Sequence, residues 1–449
     1  MSLLADLHRT FYEGGKSSAN NDYSGANVPF EETASPDRDT MRARARWLHE
    51  NNGLISGIDE SIKVNTVGNG FKLQMNTNDE SLNKIIEDKY QLWEKHCDIT
   101  NRQHFGDMQA TILGQRMMDG EILINKKLVT DKEHPFKLQL IESDRFDTMG
   151  IKRDINYVDG IEVDTNGAPT HYHFNAGLFK SVKLQASDVI HYFKMSNRAT
   201  QYRGISEYKQ IIVDLRNFAG YQSSSVTSAR ARAHIAYAIE SDNTSGRIGA
   251  LQNDAEGQKI AAISGAMVHY LNKGEKLHLQ DPGINGTEYG EFIRSVIRLI
   301  AVGRKISYEL AFRDYTQVNF SSARASLIQD HKRFSNEQFH MASYVLNPLF
   351  EAWMDANALS GNFKGLSPQY YFSHKNELLK PTWVPPAREW IDPLKDMKAL
   401  KEELALGLTT HTEAAKARGK NLDDLLEQRA KDNKKLESAG ILTKEDHNA

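Results

Sequence analysis

The sequence predicts an α+β protein of several units, on three observations. Long segments carry apolar residues at three- and four-residue spacing, which marks amphipathic helices. A central stretch, Glu121 to Phe193, instead alternates apolar and polar residues in strand fashion. The segment Gly290 to Arg333 then reads as helix, polar loop, long helix. At 449 residues the chain is long enough for two or three domains.

Residues 1–38 are rich in Gly, Ser, Asn and Asp and lack periodicity, so they are expected to form a flexible arm. Helical spacing runs over 39–63, with Met41, Ala45 and Leu48, then Leu54, Ile55, Ile58 and Ile62 after an Asn-Asn-Gly break. Arg42, Arg44 and Arg46 alternate in this segment. They read first as a solvated helix face and second as a nucleic-acid strip. Ser81 to Cys97 is a further amphipathic helix, carrying Leu82, Ile85, Ile86, Tyr90 and Trp93.

In the β-rich stretch, Asp119-Gly120 and Asn166-Gly167 are hairpin signals. EILINKKLV and FKLQLIE are the clearest strands. His171 and His173 share one strand face as a candidate metal pair. No third ligand is recognisable near them, so a structural or surface role is preferred.

A long helix is expected from Gly204, with Ile205, Tyr208, Ile211, Ile212, Leu215 and Phe218 in phase. Beyond Tyr221 it turns small and polar, which lets neighbouring helices approach closely. Arg230 and Arg232 near its end are candidates to face solvent, a partner or DNA. Residues 237–288 form a smaller unit, with two short strands expected around Asn272-Lys273-Gly274. The next helix places Phe292, Val296, Leu299 and Ile300 in phase. Arg304 and Lys305 after Gly303 are candidate phosphate contacts, with a favourable charge at a helix C-terminus as the rival reading.

The loop FRDYTQVNF contains Arg313, Asp314, Tyr315, Thr316, Gln317, Val318 and Asn319, with no Gly or Pro. A polar, aromatic loop between two helices suits presentation to a partner better than a catalytic cage. Ser321 and Ser322 are expected to cap the following helix, which can run to about Asn347, with Pro348 ending or kinking it. QYYFSHKNELLKPTWVPP reads as extended. Residues 392–437 return to helix, with starts at Asp392-Pro393, after Thr409-Thr410 and at Asn421.

Mean hydropathy is −0.57, and no apolar run approaches the ~18 residues of a membrane helix. The first residues, MSLLADLHRTFYEGG, lack an apolar signal core, so no signal peptide is expected. One cysteine, Cys97, excludes an intramolecular disulfide and a cysteine zinc site. The net charge of −3 and pI near 6.6 lack the basic excess of a protein that grips DNA. The sequence has no GxxxxGK[ST], HExxH, GxSxG or CxxC. Neither a catalytic set nor a metal or cofactor is expected.

The string VGRKISYELAFRDYTQVNFSSARAS resembles the tunnel-loop region of phage portal proteins of the lambda-type family. RARARWLHENNGLISGIDESIKVNTVGNGFKLQ, MMDGEILINK, the Gln201-x-Arg203-Gly204-x-Ser206 run and the C-terminal helices resemble the same family in the same order, over roughly residues 40 to 440. The resemblance implies a portal fold divided as follows: arm 1–38, first part of an α/β wing 39–203, stem helix 204–236, clip 237–288, second stem helix 289–311, tunnel loop 312–320, long tunnel helix and second part of the wing 321–391, and helical crown and tail 392–449. It implies a closed head-to-tail ring of about twelve copies at the capsid vertex of the virion, assembled in the host cytoplasm. Double-stranded DNA would pass through its channel along Arg313 to Asn319, without sequence preference. Further implied partners are the large terminase subunit, docking on the clip through Lys273, Glu275 and Lys276, the major capsid and scaffolding proteins, and a head-tail adaptor. A membrane is not among them. The competing class is a DNA-processing or capsid-maturation enzyme, which would need an acid cluster or nucleophile that the sequence does not display.

Overall fold

The computed structural model describes residues 27–148, 156–175, 181–195, 198–240, 252–253, 259–263, 266–271, 286–316, 319–387 and 393–439. Helix α1 (Phe30–Asn51) buries Ala34, Ala45 and Leu48, and α2 (Gly53–Thr66) buries Ile55, Ile58 and Ile62. Asn52 separates them and accepts from the backbone N–H of Leu54 and Ile55, capping α2. The arm expected over 1–38 is therefore helical from Phe30. The reason is Arg38, buried and paired with Glu31 and Asp159, which ties this first turn to the body. Arg42 and Arg46 are not a solvated face either. Arg42 is buried, and Arg46 holds Asp119 through two bonds of 2.8 and 2.6 Å.

Strand β1 (Lys72–Met75), α3 (Glu80–Glu94) and α4 (Phe105–Asp119) follow. α4 occupies the place where the sequence suggests a hairpin turn. Asp119-Gly120 closes the helix, with Gly120 as its left-handed cap at φ 96°. A Cβ on Gly120 would also lie 2.3 Å from the Ile205 backbone, so close approach adds a second demand for glycine.

The β region holds β2 (Glu121–Leu128), β3 (Phe136–Ile141), β4 (Tyr157–Val158), β5 (Ile161–Val163), β6 (Pro169–Asn175), β7 (Ser181–Gln185) and β8 (Val189–Phe193). They make two antiparallel sheets, ordered β3-β2-β8 and β4-β5-β6-β7. The Asn166-Gly167 turn joins β5 to β6 as expected, with Gly167 at φ 83°.

Helix α5 (Ile212–His234) starts later than the sequence suggests. Ser206 caps a short 3-10 turn, Glu207–Gln210, which ends at Ile211 before α5 begins. Beyond it lie β9 (Ile235–Glu240), β10 (Gln252–Asn253), β11 (Lys259–Ile263) and β12 (Ala266–Leu271), ordered β10-β11-β12-β9 with β12 and β9 parallel. β9, β10 and β11 are strands additional to the two expected around Asn272-Lys273-Gly274. The Asn272-Lys273-Gly274 turn and the strand expected after it lie outside the described residues. α6 (Gly286–Gly303) returns antiparallel to α5. Tyr221 stacks on Tyr289 at one end (5.8 Å between rings), and Gly303 meets Ile211 at the other.

After α7 (Tyr308–Phe312), α8 (Phe320–Met341) is capped by Asn319 rather than by the serines that follow it. Helical geometry then continues through a π turn, Ala342–Leu346, into α9 (Asn347–Leu359). Pro348 neither ends nor breaks this run. The π turn directs the Asn347 N–H to the Ala342 carbonyl, one residue further back than usual, just before the residue that has no N–H to give.

The segment read as extended holds α10 (Pro368–Ser373) and α11 (Lys375–Leu378) before its only strand, β13 (Pro381–Val384). Ser367 as cap and Pro368 at the first turn favour helix there. β13 pairs with β1, joining residues over 300 positions apart. Helices α12 (Pro393–Ala405), α13 (His411–Lys416) and α14 (Leu422–Ser438) stand where expected, α13 with a Thr410–Glu413 capping box and α14 capped by Asn421. The main core gathers Tyr90, Trp93, Phe105, Phe350, Trp353 and Trp383 from α3, α4, α9 and β13. Tyr90 and Trp353 meet edge-on at 5.0 Å. No helix among the described residues is long and apolar enough to cross a membrane.

Candidate functional site: an exposed loop on a buried ionic joint

The loop between α7 and α8 is built from local hydrogen bonds. Ser307 caps α7 by accepting from Leu310 N–H at 3.2 Å. It is itself anchored to α8, because Asp330 accepts from its backbone N–H (2.8 Å) and its hydroxyl (2.5 Å). α7 ends at Arg313, whose φ of 55° lies in the left-handed region. Asp314 then accepts from the Thr316 N–H (3.0 Å) and hydroxyl (2.6 Å), an Asx turn that replaces glycine in bending the chain. Those two bonds, with Tyr308 donating at 3.3 Å, hold the Asp314 carboxyl below its ordinary pKa. Tyr315 and Thr316 are exposed, and Asn319 begins α8 by accepting from Ser322 N–H at 2.9 Å. Arg313 is exposed and, among the described residues, reaches only the Ser61 hydroxyl, at 3.4 Å. Gln317 and Val318 lie outside the described residues.

Under this loop lies a cluster of charges that the sequence pattern does not assemble. Arg304, fully buried at the end of α6, donates to Asp59 of α2 at 2.6 Å and to Glu207 at 3.2 Å. Arg116 of α4 donates to Glu207 and, at 2.9 Å, to Glu337 of α8. Arg333 donates to the Arg304 carbonyl and to Glu207 at 3.4 Å. Lys194, just past β8, reaches Glu337 at 2.5 Å. Asp59 also accepts from the Tyr208 hydroxyl and lies 3.0 Å from His49 Nδ1.

Burial opposes ionisation of Glu207, but Arg116, Arg304 and Arg333 outweigh it and hold its carboxyl well below the usual range. Glu337 behaves alike, with burial outweighed chiefly by Arg116. The cluster thus pins α2, α4, α6 and α8 to one another where the α5–α6 pair meets the sheet-bearing body. Arg304 is correspondingly unavailable to DNA, which corrects its place among the candidate phosphate contacts. Charge in the interior persists only when paired, and here the pairs come from distant segments.

The other candidates separate. Lys305 is exposed, with φ 58°. Arg230 is exposed on α5; Arg232 follows on the same helix, its side chain outside the described set. Lys273, Glu275 and Lys276 lie outside the described residues. His171 and His173 do share a face, and both turn to Glu162, at 3.6 and 3.2 Å. Lys183 occupies the same carboxylate oxygen at 2.8 Å. Among the described residues no group of three His, Cys, Asp or Glu is placed to hold a metal.

The Gln201–Ser206 run has a structural explanation. Arg203 forks onto the buried Glu121 (2.9, 3.0 and 2.5 Å), and His191 meets the same carboxylate at 2.9 Å. Gly204 N–H adds a bond of 2.7 Å, and Arg203 lies 3.5 Å over the Phe146 ring. One sequence signal marks such residues: a lone charge inside an apolar pattern, as with Arg116 in TILGQRMM.

The class that this geometry defines is structural, a helix pair with a presented loop, set on a locked joint. The chain belongs to the lambda family of phage portal proteins, whose family model matches residues 17–338. It is 23% identical over 462 residues to the probable portal protein of Halomonas phage phiHAP-1, covering 97% of this chain and 88% of that one. It is 22% identical to the portal protein of Escherichia phage N15 (96% and 91% covered) and to portal protein B of Escherichia phage lambda (96% and 90%). Among solved structures it is similar to a chain in the neck of an empty gene transfer agent particle, at 14% identity and a TM-score of 0.44, with 88% and 95% covered.

Proposed function

We propose that this portal protein forms a closed ring of about twelve copies at the capsid vertex, through heterologous contacts between neighbours. Double-stranded DNA passes through its channel during packaging and ejection, and the loop from Arg313 to Asn319 faces that channel. The region of residues 237–288 docks the large terminase subunit and later a head-tail adaptor, and capsid and scaffolding proteins meet the outer body. The role is mechanical, with no bond made or broken by this chain. The observation that carries the reading is the family match over residues 17–338, on a chain whose exposed loop sits on a rigid ionic base. A near-neutral surface supports sliding, since strong phosphate neutralisation would arrest the DNA.

The test is the native mass of the purified full chain, with projection images. A ring of about twelve with a central hole of about 20 Å or more, the width of a duplex, is the expected result. A monomer or dimer, or particles without a hole, overturns the reading.

A further inference from the structure

Several arginines of this chain are spent on internal ties, and others, Arg44, Arg102 and Arg216 among them, are unpaired at scattered positions among the described residues. Arg46, Arg116, Arg203, Arg304 and Arg333 are each matched to carboxylates. Arg294, Arg298 and Arg313 form no ion pair among the described residues. Arg294 and Arg298 lie on α6, which packs against α7, and Arg313 ends α7 at the start of the loop. Arg294 and Arg298 are one turn apart on α6 and so share a face. The Arg298 guanidinium lies 5.4 Å over the Tyr308 ring, and Tyr308 donates to Asp314 in the loop. The charges of Arg294 and Arg298 both act on Tyr308, and that of Arg294 also acts on Asp314.

Stacking on an aromatic face orients a guanidinium without neutralising it, so its hydrogen-bonding edge stays available. Arg313 adds a further sign of retention. It holds a left-handed backbone conformation that costs a side-chain-bearing residue of order 1 kcal/mol, where glycine would be unstrained.

We propose that Arg294, Arg298 and Arg313 form a phosphate-contacting edge, with Tyr308 and Asp314 as positioning residues that fix its shape. Its partner is the polyanionic backbone of duplex DNA. The loop's own Asp314 leaves the Arg313–Asn319 segment with no net charge, so attraction to phosphate comes mainly from α6. The contact is sparse, two or three cations per copy, which suits transient touching. This assignment rests on the channel reading above, but it is tested separately.

The experiment compares the full chain with an Arg294→Gln/Arg298→Gln variant and a Lys398→Gln/Lys401→Gln control on the exposed face of α12. Binding of a random-sequence duplex is measured between about 50 and 200 mM salt, beside native mass. The expected result is a shallower salt dependence for the arginine variant alone, by about 0.9 in log–log slope for each phosphate no longer neutralised, with mass unchanged. An unchanged slope overturns the assignment. So does loss of assembly in the variant alone, because the arginines would then bind a neighbouring copy. If the unmodified chain is itself not a ring, the portal-ring reading falls, while the slopes still decide the arginines.

Discussion

At the scale of single residues, the buried charges decide most. Arg304→Met leaves Asp59 and Glu207 short of a cation in the interior, and breaking such a pair from one side costs about 3–5 kcal/mol. Urea unfolding should show a loss of that size. A loss below about 1 kcal/mol, as for an exposed pair, would mean that the joint is wet. Two histidines set a pH dependence. Burial, reinforced by Lys194 and Arg116, lowers His340 to about 4, and burial also lowers His191 against the pull of Glu121. Below the ordinary histidine value of about 6.5 the unfolded chain takes up protons that the folded chain refuses. The two histidines therefore contribute a loss of stability as pH drops from 6.5 toward 4, opposed over the same window by Glu94, whose carboxyl burial raises to about 7, and by His49, which the bond to Asp59 raises. The urea midpoint of His340→Phe should therefore rise relative to that of the unmodified chain as pH falls across that window. An equally steep profile in the variant would remove His340 from the account.

At the scale of elements, two glycines govern the junction of α4, β2 and the turn before α5. A Cβ on Gly204 would lie 2.3 Å from the Gly120 carbonyl oxygen and 2.6 Å from the Glu121 Cβ. Neither neighbour is the end of a flexible side chain, and Glu121 is locked by Arg203. Gly204→Ala should therefore destabilise by about 1–3 kcal/mol. Gly290→Ala, with nothing within 4 Å of the new methyl, should stabilise α6 by roughly 0.5–1 kcal/mol. Thermal denaturation of both variants makes the comparison, and similar effects from the two would refute the packing argument. The same junction explains a misread signal. Asp-Gly marks a left-handed glycine, and a helix cap uses that conformation as readily as a hairpin does.

At the scale of the whole molecule, the loop is separable from its support. Its anchors are the Ser307–Asp330 bonds, the Asn319 cap and the Arg304 joint, and none of these lies within residues 314–318. Deleting Asp314 to Val318 should leave folding and native mass unchanged while DNA packaging or retention fails. Variant chains that no longer assemble would make the loop an interface between copies instead.

The sequence by itself determined the α+β class, the helix caps at Asn421 and Thr410, the Asn166-Gly167 hairpin and the position of the loop. Each of these depends on local periodicity or on the chemistry of a few adjacent residues. The family was legible too, because the Tyr315 to Asn319 region sits among ordered motifs across the chain. Only the tertiary structure decided that Arg304 is a buried tie rather than a phosphate contact. It also decided that Arg42 and Arg46 face inward, and that β1 pairs with β13. A charge is stable inside only beside its opposite, and the partners of Arg304, Asp59 and Glu207, are 245 and 97 positions away. Local patterns carry no record of such distances; they are set when α2, α4, α6 and α8 pack together.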